Sequence, residues 1–178
     1  MLFRSATVAQ LALVLAVSDA VLLGQLRWPL LAMGAVAAAY GGLLLFSSKD
    51  HAAPPPPSGR AFRLRTTLLF AAAFTAVALL VAWLQRSFGT TWALAGVVIG
   101  GFADAHSTAA SVGSLTAQER MTRELAAIAI GLVVTTNTVS KLGFAWAGGA
   151  RYFWRLAPGL ALLIAAYWAT WWIERSLA

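Results

Sequence analysis

The chain has no cysteine among its 178 residues, which excludes disulfides, thiolate metal sites and thiol nucleophiles together. Histidine is nearly as scarce: His51 and His106 are the two present, too few for a multi-histidine metal centre within one molecule. Charge is thin as well. Charged residues make up 11% of the sequence, against roughly a quarter in a soluble domain. No cofactor and no metal is therefore expected.

What fills the space is apolar. Hydrophobic residues reach 60% and the mean hydropathy is +0.76, more apolar surface than a soluble fold of this size can bury. With ~20 apolar residues needed per helical crossing, there is room for about six spans and short loops. The expectation is an all-α polytopic transmembrane bundle, residues 1–178 forming one domain with the lipid bilayer as its first partner. The net charge of +7 would point to nucleic acid in a soluble protein. Here the basic residues fall between apolar runs, as topology determinants do, so no nucleic-acid partner is expected.

The N-terminal run behind Arg4 could be a secretory signal cleaved after Ala20, but Val21-Leu22-Leu23 carries it on, and a retained first span over Ala6–Gly24 is preferred. Its Asp19 is read as an interfacial carboxylate near Arg27. Span two, Trp28 to Phe46, opens on Trp-Pro, where a missing N–H costs nothing. A Pro-rich linker over 47–63, with Pro54 to Pro57 consecutive, separates two three-helix halves. Span three covers Leu64 to Gln85. Span four begins at Thr91-Trp92, with Gly96 and Gly100 as a close-packing face. After a polar loop over Ser114–Arg123, Thr122 and Glu124 mark the start of span five, which runs to Trp146 and is closed by Gly148-Gly149. Span six covers Tyr152 to Ile173.

Seven of the eight tryptophans fall at these span ends, the aromatic belt of a bilayer interface. Arg4, Lys49, Arg60, Arg63, Arg65, Arg120, Arg123 and Arg175 lie on one side, and Arg27, Arg86, Arg151 and Arg155 on the other, which favours cytoplasmic termini. The halves also align weakly: Ser18-Asp19-Ala20 matches Ala103-Asp104-Ala105, and Arg65–Arg86 matches Arg155–Arg175. Three spans per half would make the second copy inverted, as in many transporters.

Within span four, Asp104, Ser107, Thr108 and Ser111 share one helical face, while His106 points elsewhere unless the helix is interrupted, which Gly100-Gly101 would permit. On span five, Asn137, Ser140 and Lys141 form a matching stripe. Lys141 and Asp104 are the cation and the carboxylate placed well inside spans, so pairing across the two helices is the economical expectation. Either these groups line an ion or small-solute pathway or they form a polar clasp between helices. Catalysis is not expected: Asp104, His106 and a nearby serine supply triad types, but on one short stretch they cannot reach triad geometry. An aspartyl site would need a second deep aspartate.

At Gly101-Phe-Ala-Asp-Ala-His-Ser-Thr-Ala-Ala-Ser-Val112, Thr135-Thr-Asn-Thr-Val-Ser-Lys-Leu142 and Leu64-Arg-Thr-Thr-Leu-Leu-Phe70 the chain resembles the membrane domain of unknown function that follows the MgtC/SapB-type domain in many bacterial inner-membrane proteins. The MgtC/SapB portion is not in this sequence, so the chain looks like that C-terminal domain standing alone or cut out. The resemblance implies a multi-pass protein of the bacterial inner membrane, tied to metal-ion homeostasis by association. The functional expectation is an ion or small-solute transporter or channel, homo-oligomeric through its small-residue faces. The alternative is a non-transporting interaction or regulatory module.

Overall fold

A computed structural model describes residues 3–47, 68, 75, 83, 93–147 and 149–177. The expectations for the Pro-rich linker, for His51 and for most of span three fall outside the described residues. Those residues form seven helices and no strand: α1 (Phe3–Ser18), α2 (Ala20–Gln25), α3 (Arg27–Ser47), α4 (Ala93–Ala103), α5 (Ala105–Ala117), α6 (Arg123–Ala147) and α7 (Ala150–Leu177). Of these, α6 and α7 are long and apolar enough to cross a membrane.

The first and fourth expected spans are each divided at an aspartate. Asp19 closes α1 by donating its N–H to Leu15 O, then turns extended (φ −158°, ψ 96°) and caps α2. Its Oδ1 accepts from Val21 N and Leu22 N, both at 3.0 Å. A carboxylate in that position satisfies helix N–H groups that have no partner within the helix. Asp19 is thus a cap and not a mate for Arg27, whose guanidinium lies over the Trp28 ring.

Elsewhere the local chemistry places the ends as read. α3 carries Pro29 in its first turn, where no intrahelical N–H is lost. Thr122 caps α6 by accepting from Leu125 N, with Glu124 in the first turn. Gly149, at φ +108°, occupies the left-handed region between α6 and α7. The polar loop is shorter than expected, because α5 continues through Ser114 to Ala117 and Gln118 Nε2 donates to Ser114 Oγ.

α3 packs on α7, α4 on α6, α6 on α7, and α1 on both α5 and α3. Leu11, Leu15, Val97, Val112, Ile130, Val133 and Tyr167 are buried between them. Large apolar side chains also point outward, among them Val17, Leu43, Trp154 and Trp172. Helices apolar on every side are compatible with a bilayer around the bundle.

Candidate functional site

The site is built around the α4–α5 break. Asp104 donates its N–H to Gly100 O and adopts φ −152°, ψ 118°, ending α4. Its Oδ1 accepts from His106 N and its Oδ2 from Ser107 N, each at 3.0 Å, so both carboxylate oxygens face the N-terminus of α5. The helix dipole favours a negative charge there. Thr108 Oγ1 donates back to Asp104 O at 2.7 Å and completes the turn.

Glycines let this break sit against its neighbours. A Cβ on Gly101 would meet Thr136 Oγ1 and lie 3.0 Å from the backbone Cα of Val133, so α4 and α6 touch backbone to backbone. On Gly113 it would come within 2.6 Å of Ser18 Cβ. The second half of one broken helix therefore packs on the break of the other. The expected interruption at Gly100-Gly101 lies instead three residues on, at Asp104. The glycines serve close approach, and the aspartate supplies the acceptor that a new helix start needs.

Beside the break is a cavity of about 470 Å³ between α1, α3, α5, α6 and α7. Asn137, Thr138 and Lys141 of α6, Thr7 of α1 and Tyr152 of α7 are its polar lining, and Ala105 brings the first turn of α5 to its wall. Leu11, Met33, Val134, Leu160 and Leu163 form the apolar wall.

The two expected polar stripes are only partly brought together. Asn137 and Lys141 share the cavity, while Ser140 is half-buried beside them and does not line it. The stripe of span four divides: Thr108 is buried against Gly100, whereas Ser107 and Ser111 are exposed, Ser111 Oγ donating to Ser107 O. Gly96 and Gly100 are buried. Asp104 and Lys141 do not form an ion pair; among the described residues the ion pair is Glu124–Arg175, at 2.6 Å. The helix break accounts for the difference, since it turns the carboxylate onto its own helix. His106 Nδ1 is buried with no hydrogen-bond partner, a costly state for a polar atom.

Sequence reasoning passed over Thr7, Thr138 and Tyr152, which lie on three different helices with no shared spacing. Asp19 as a break was within reach, because Ser18-Asp19-Ala20 and Ala103-Asp104-Ala105 align.

Fold and site together define an all-helical protein with two apolar helices of membrane-crossing length and two aspartate-broken helices packed on one another. The chain belongs to the DUF4010 family, a domain of unknown function, whose model matches residues 1–149. That match takes in both breaks together with Asn137 and Lys141. No curated protein and no solved structure matches the chain.

Proposed function

We propose that this chain is a six-span protein of the bacterial inner membrane that moves an ion or small solute between its broken fourth span (α4 and α5) and its fifth (α6). The observation that carries the reading is the paired break at Asp19 and Asp104, with the same cap chemistry in each. Discontinuous helices in corresponding positions of two repeats are how many transporters make a binding site at mid-membrane depth. On this reading the halves are a 3+3 inverted repeat and both termini are cytoplasmic. Asp104, His106, Ser107, Thr108, Ser111, Asn137, Ser140 and Lys141 supply the polar groups of the pathway. The protein is not an enzyme. It assembles with copies of itself and works beside MgtC/SapB-type domains in metal-ion homeostasis.

Flux into liposomes across a panel of cations and anions tests this, with Lys141→Ala as the control. Flux above empty vesicles that falls in the variant is expected; no flux for any ion sinks the reading.

One observation favours a second reading, a non-transporting interaction module with a structural clasp. Both Asp104 oxygens are already engaged by α5 N–H groups, as in a purely structural cap. That reading expects Asp104→Asn combined with Lys141→Met to keep fold and partner co-purification. Loss of the partner from a folded variant would count against it.

A further inference from the structure

We propose that the groove where the α2–α3 turn, the start of α6 and the end of α7 meet binds the zwitterionic headgroup of a phosphatidylethanolamine lipid, its phosphate at Arg123 and its ammonium at Glu174. The groove shares no lining residue with the cavity beside the Asp104 break, and the inference does not depend on solute crossing.

The groove holds about 710 Å³, backed by the buried Leu26 and Ala127 and flanked by Trp28 and Trp171. Its depth follows from helix length. At ~1.5 Å per residue the 28 residues of α7 reach about 42 Å, beyond the ~30 Å of a bilayer's hydrocarbon core. The charged last turn of α7 therefore stands in the headgroup layer, where tryptophan rings collect, as Trp28, Trp171 and Trp172 do at this end.

Charge selects among ligands. Two cations and two carboxylates line the groove, so it favours neither a plain anion nor a plain cation. Glu124 and Arg175 pair with each other at 2.6 Å. The side chains of Arg123 and Glu174 make no ion pair or hydrogen bond among the described residues, which leaves one group of each sign for a ligand that carries both. The helix ends agree in sign. α6 begins at Arg123 and α7 ends just past Glu174, so the positive pole of one helix dipole and the negative pole of the other face the same groove. Glu124 and Arg175 already display that order, anion at the start of α6 and cation in the last turn of α7, and a phosphate and an ammonium repeat it.

The kind of ammonium follows from the rings. A quaternary ammonium donates no hydrogen bond and is recognised by aromatic faces. Trp28 already carries the Arg27 guanidinium at 5.4 Å and Trp171 that of Arg175 at 5.5 Å, so choline has the weaker claim. A primary ammonium donates directly to the Glu174 carboxylate in a charge-assisted hydrogen bond. A soluble zwitterion would leave the exposed Trp28 and Leu177 without contact, whereas a lipid's acyl chains begin at this level.

The test is a native mass spectrometry titration of the full chain in neutral maltoside micelles, with dioleoyl phosphatidylethanolamine, phosphatidylcholine and phosphatidylglycerol as probes. One phosphatidylethanolamine per chain is expected, about fivefold tighter than either of the others, as one exposed charge contact allows. Glu174→Gln abolishes the preference over phosphatidylglycerol and leaves phosphatidylglycerol bound, which misfolding would not do. Arg123→Gln weakens both lipids, and Arg120→Gln, exposed and outside the groove, alters neither. Equal binding of the three lipids by the wild type, a preference that survives Glu174→Gln, or unchanged phosphatidylethanolamine affinity in Arg123→Gln overturns the proposal. Soluble phosphoethanolamine at the lipid's concentration is expected not to compete; displacement of the lipid by it would overturn the assignment to membrane lipid.

Discussion

Asp19 and Asp104 interrupt their helices in the same way. Each adopts an extended backbone, φ −158° and ψ 96° at the first, φ −152° and ψ 118° at the second, and each carboxylate accepts from the N–H groups two and three residues on. They stand 85 positions apart in the chain, 104 less 19. Gly113 of α5 nevertheless brings the helix that Asp104 starts onto Ser18, beside the other break.

A cap needs an acceptor oxygen and not a charge, which separates two accounts of Asp104. Asparagine caps about as well as aspartate, while alanine costs ~0.5–2 kcal/mol at such a position. At Asp104 the two N–H groups are taken by different carboxylate oxygens and an amide offers one acceptor, so Asp104→Asn is expected to lose part of the stability that Asp104→Ala loses in full, read as melting temperature in detergent. At Asp19 one oxygen takes both N–H groups, so Asp19→Asn is expected to keep the wild-type melting temperature and Asp19→Ala to lower stability by about 0.5–2 kcal/mol. If asparagine destabilises as much as alanine at position 104, the carboxylate charge is held by something other than the α5 N-terminus.

The contact of α4 with α6 gives a prediction with an internal control. At Gly101 an added Cβ meets Val133 backbone, which cannot swing aside, whereas at Gly143 of the same bundle it meets nothing within 4 Å. Gly101→Ala is expected to cost about 1–3 kcal/mol, the usual penalty of overpacking, and Gly143→Ala close to nothing. Unfolding monitored in mixed micelles measures both. Equal stability of the two variants would mean that α4 and α6 do not approach as described.

Features fixed by chemistry a few residues long were legible in the sequence: Pro29 opening α3, Thr122 capping α6, and Gly149 at the α6–α7 turn. The helical class followed from apolar runs that no other regular structure could satisfy. Asp104 was misread as to partner. Beside Lys141 in an apolar sequence it reads as half of an ion pair, because periodicity assumes a continuous helix and hides the option of a new N-terminus. The cavity was invisible for a different reason: Thr7, Asn137 and Tyr152 converge only through helix packing, which no local spacing records.

The α6–α7 interface is fastened by Tyr167, fully buried, whose hydroxyl donates to Ala127 O at 2.7 Å. Beside it Trp168 Nε1 donates to Thr135 Oγ1 at 3.1 Å. Tyr167→Phe keeps the ring and loses one hydrogen bond, so a loss of about 0.5–1.5 kcal/mol is expected. Tyr167→Ala also opens a cavity and should cost roughly 3–5 kcal/mol, as large aromatic truncations do. Denaturation curves of the two variants give the ratio; a phenylalanine variant as damaged as the alanine one would make the hydroxyl, and not the ring, the fastening.

His106 separates a working residue from a packed one. Its Nδ1 is buried and makes no hydrogen bond, so that atom adds to the cost of folding. Replacing it with an apolar ring of similar shape, His106→Phe, removes a buried polar atom whose unmet hydrogen bond costs about 1–3 kcal/mol. The expected outcome is a fold at least as stable as wild type by thermal melt and a liposome flux that falls, because a polar site that persists against stability is retained for what it does. His106→Gln, which restores a polar group, should recover part of the flux and none of the stability. Wild-type flux in His106→Phe would assign the imidazole, which does not line the cavity, to packing and confine the pathway to the cavity that Asn137 and Lys141 line.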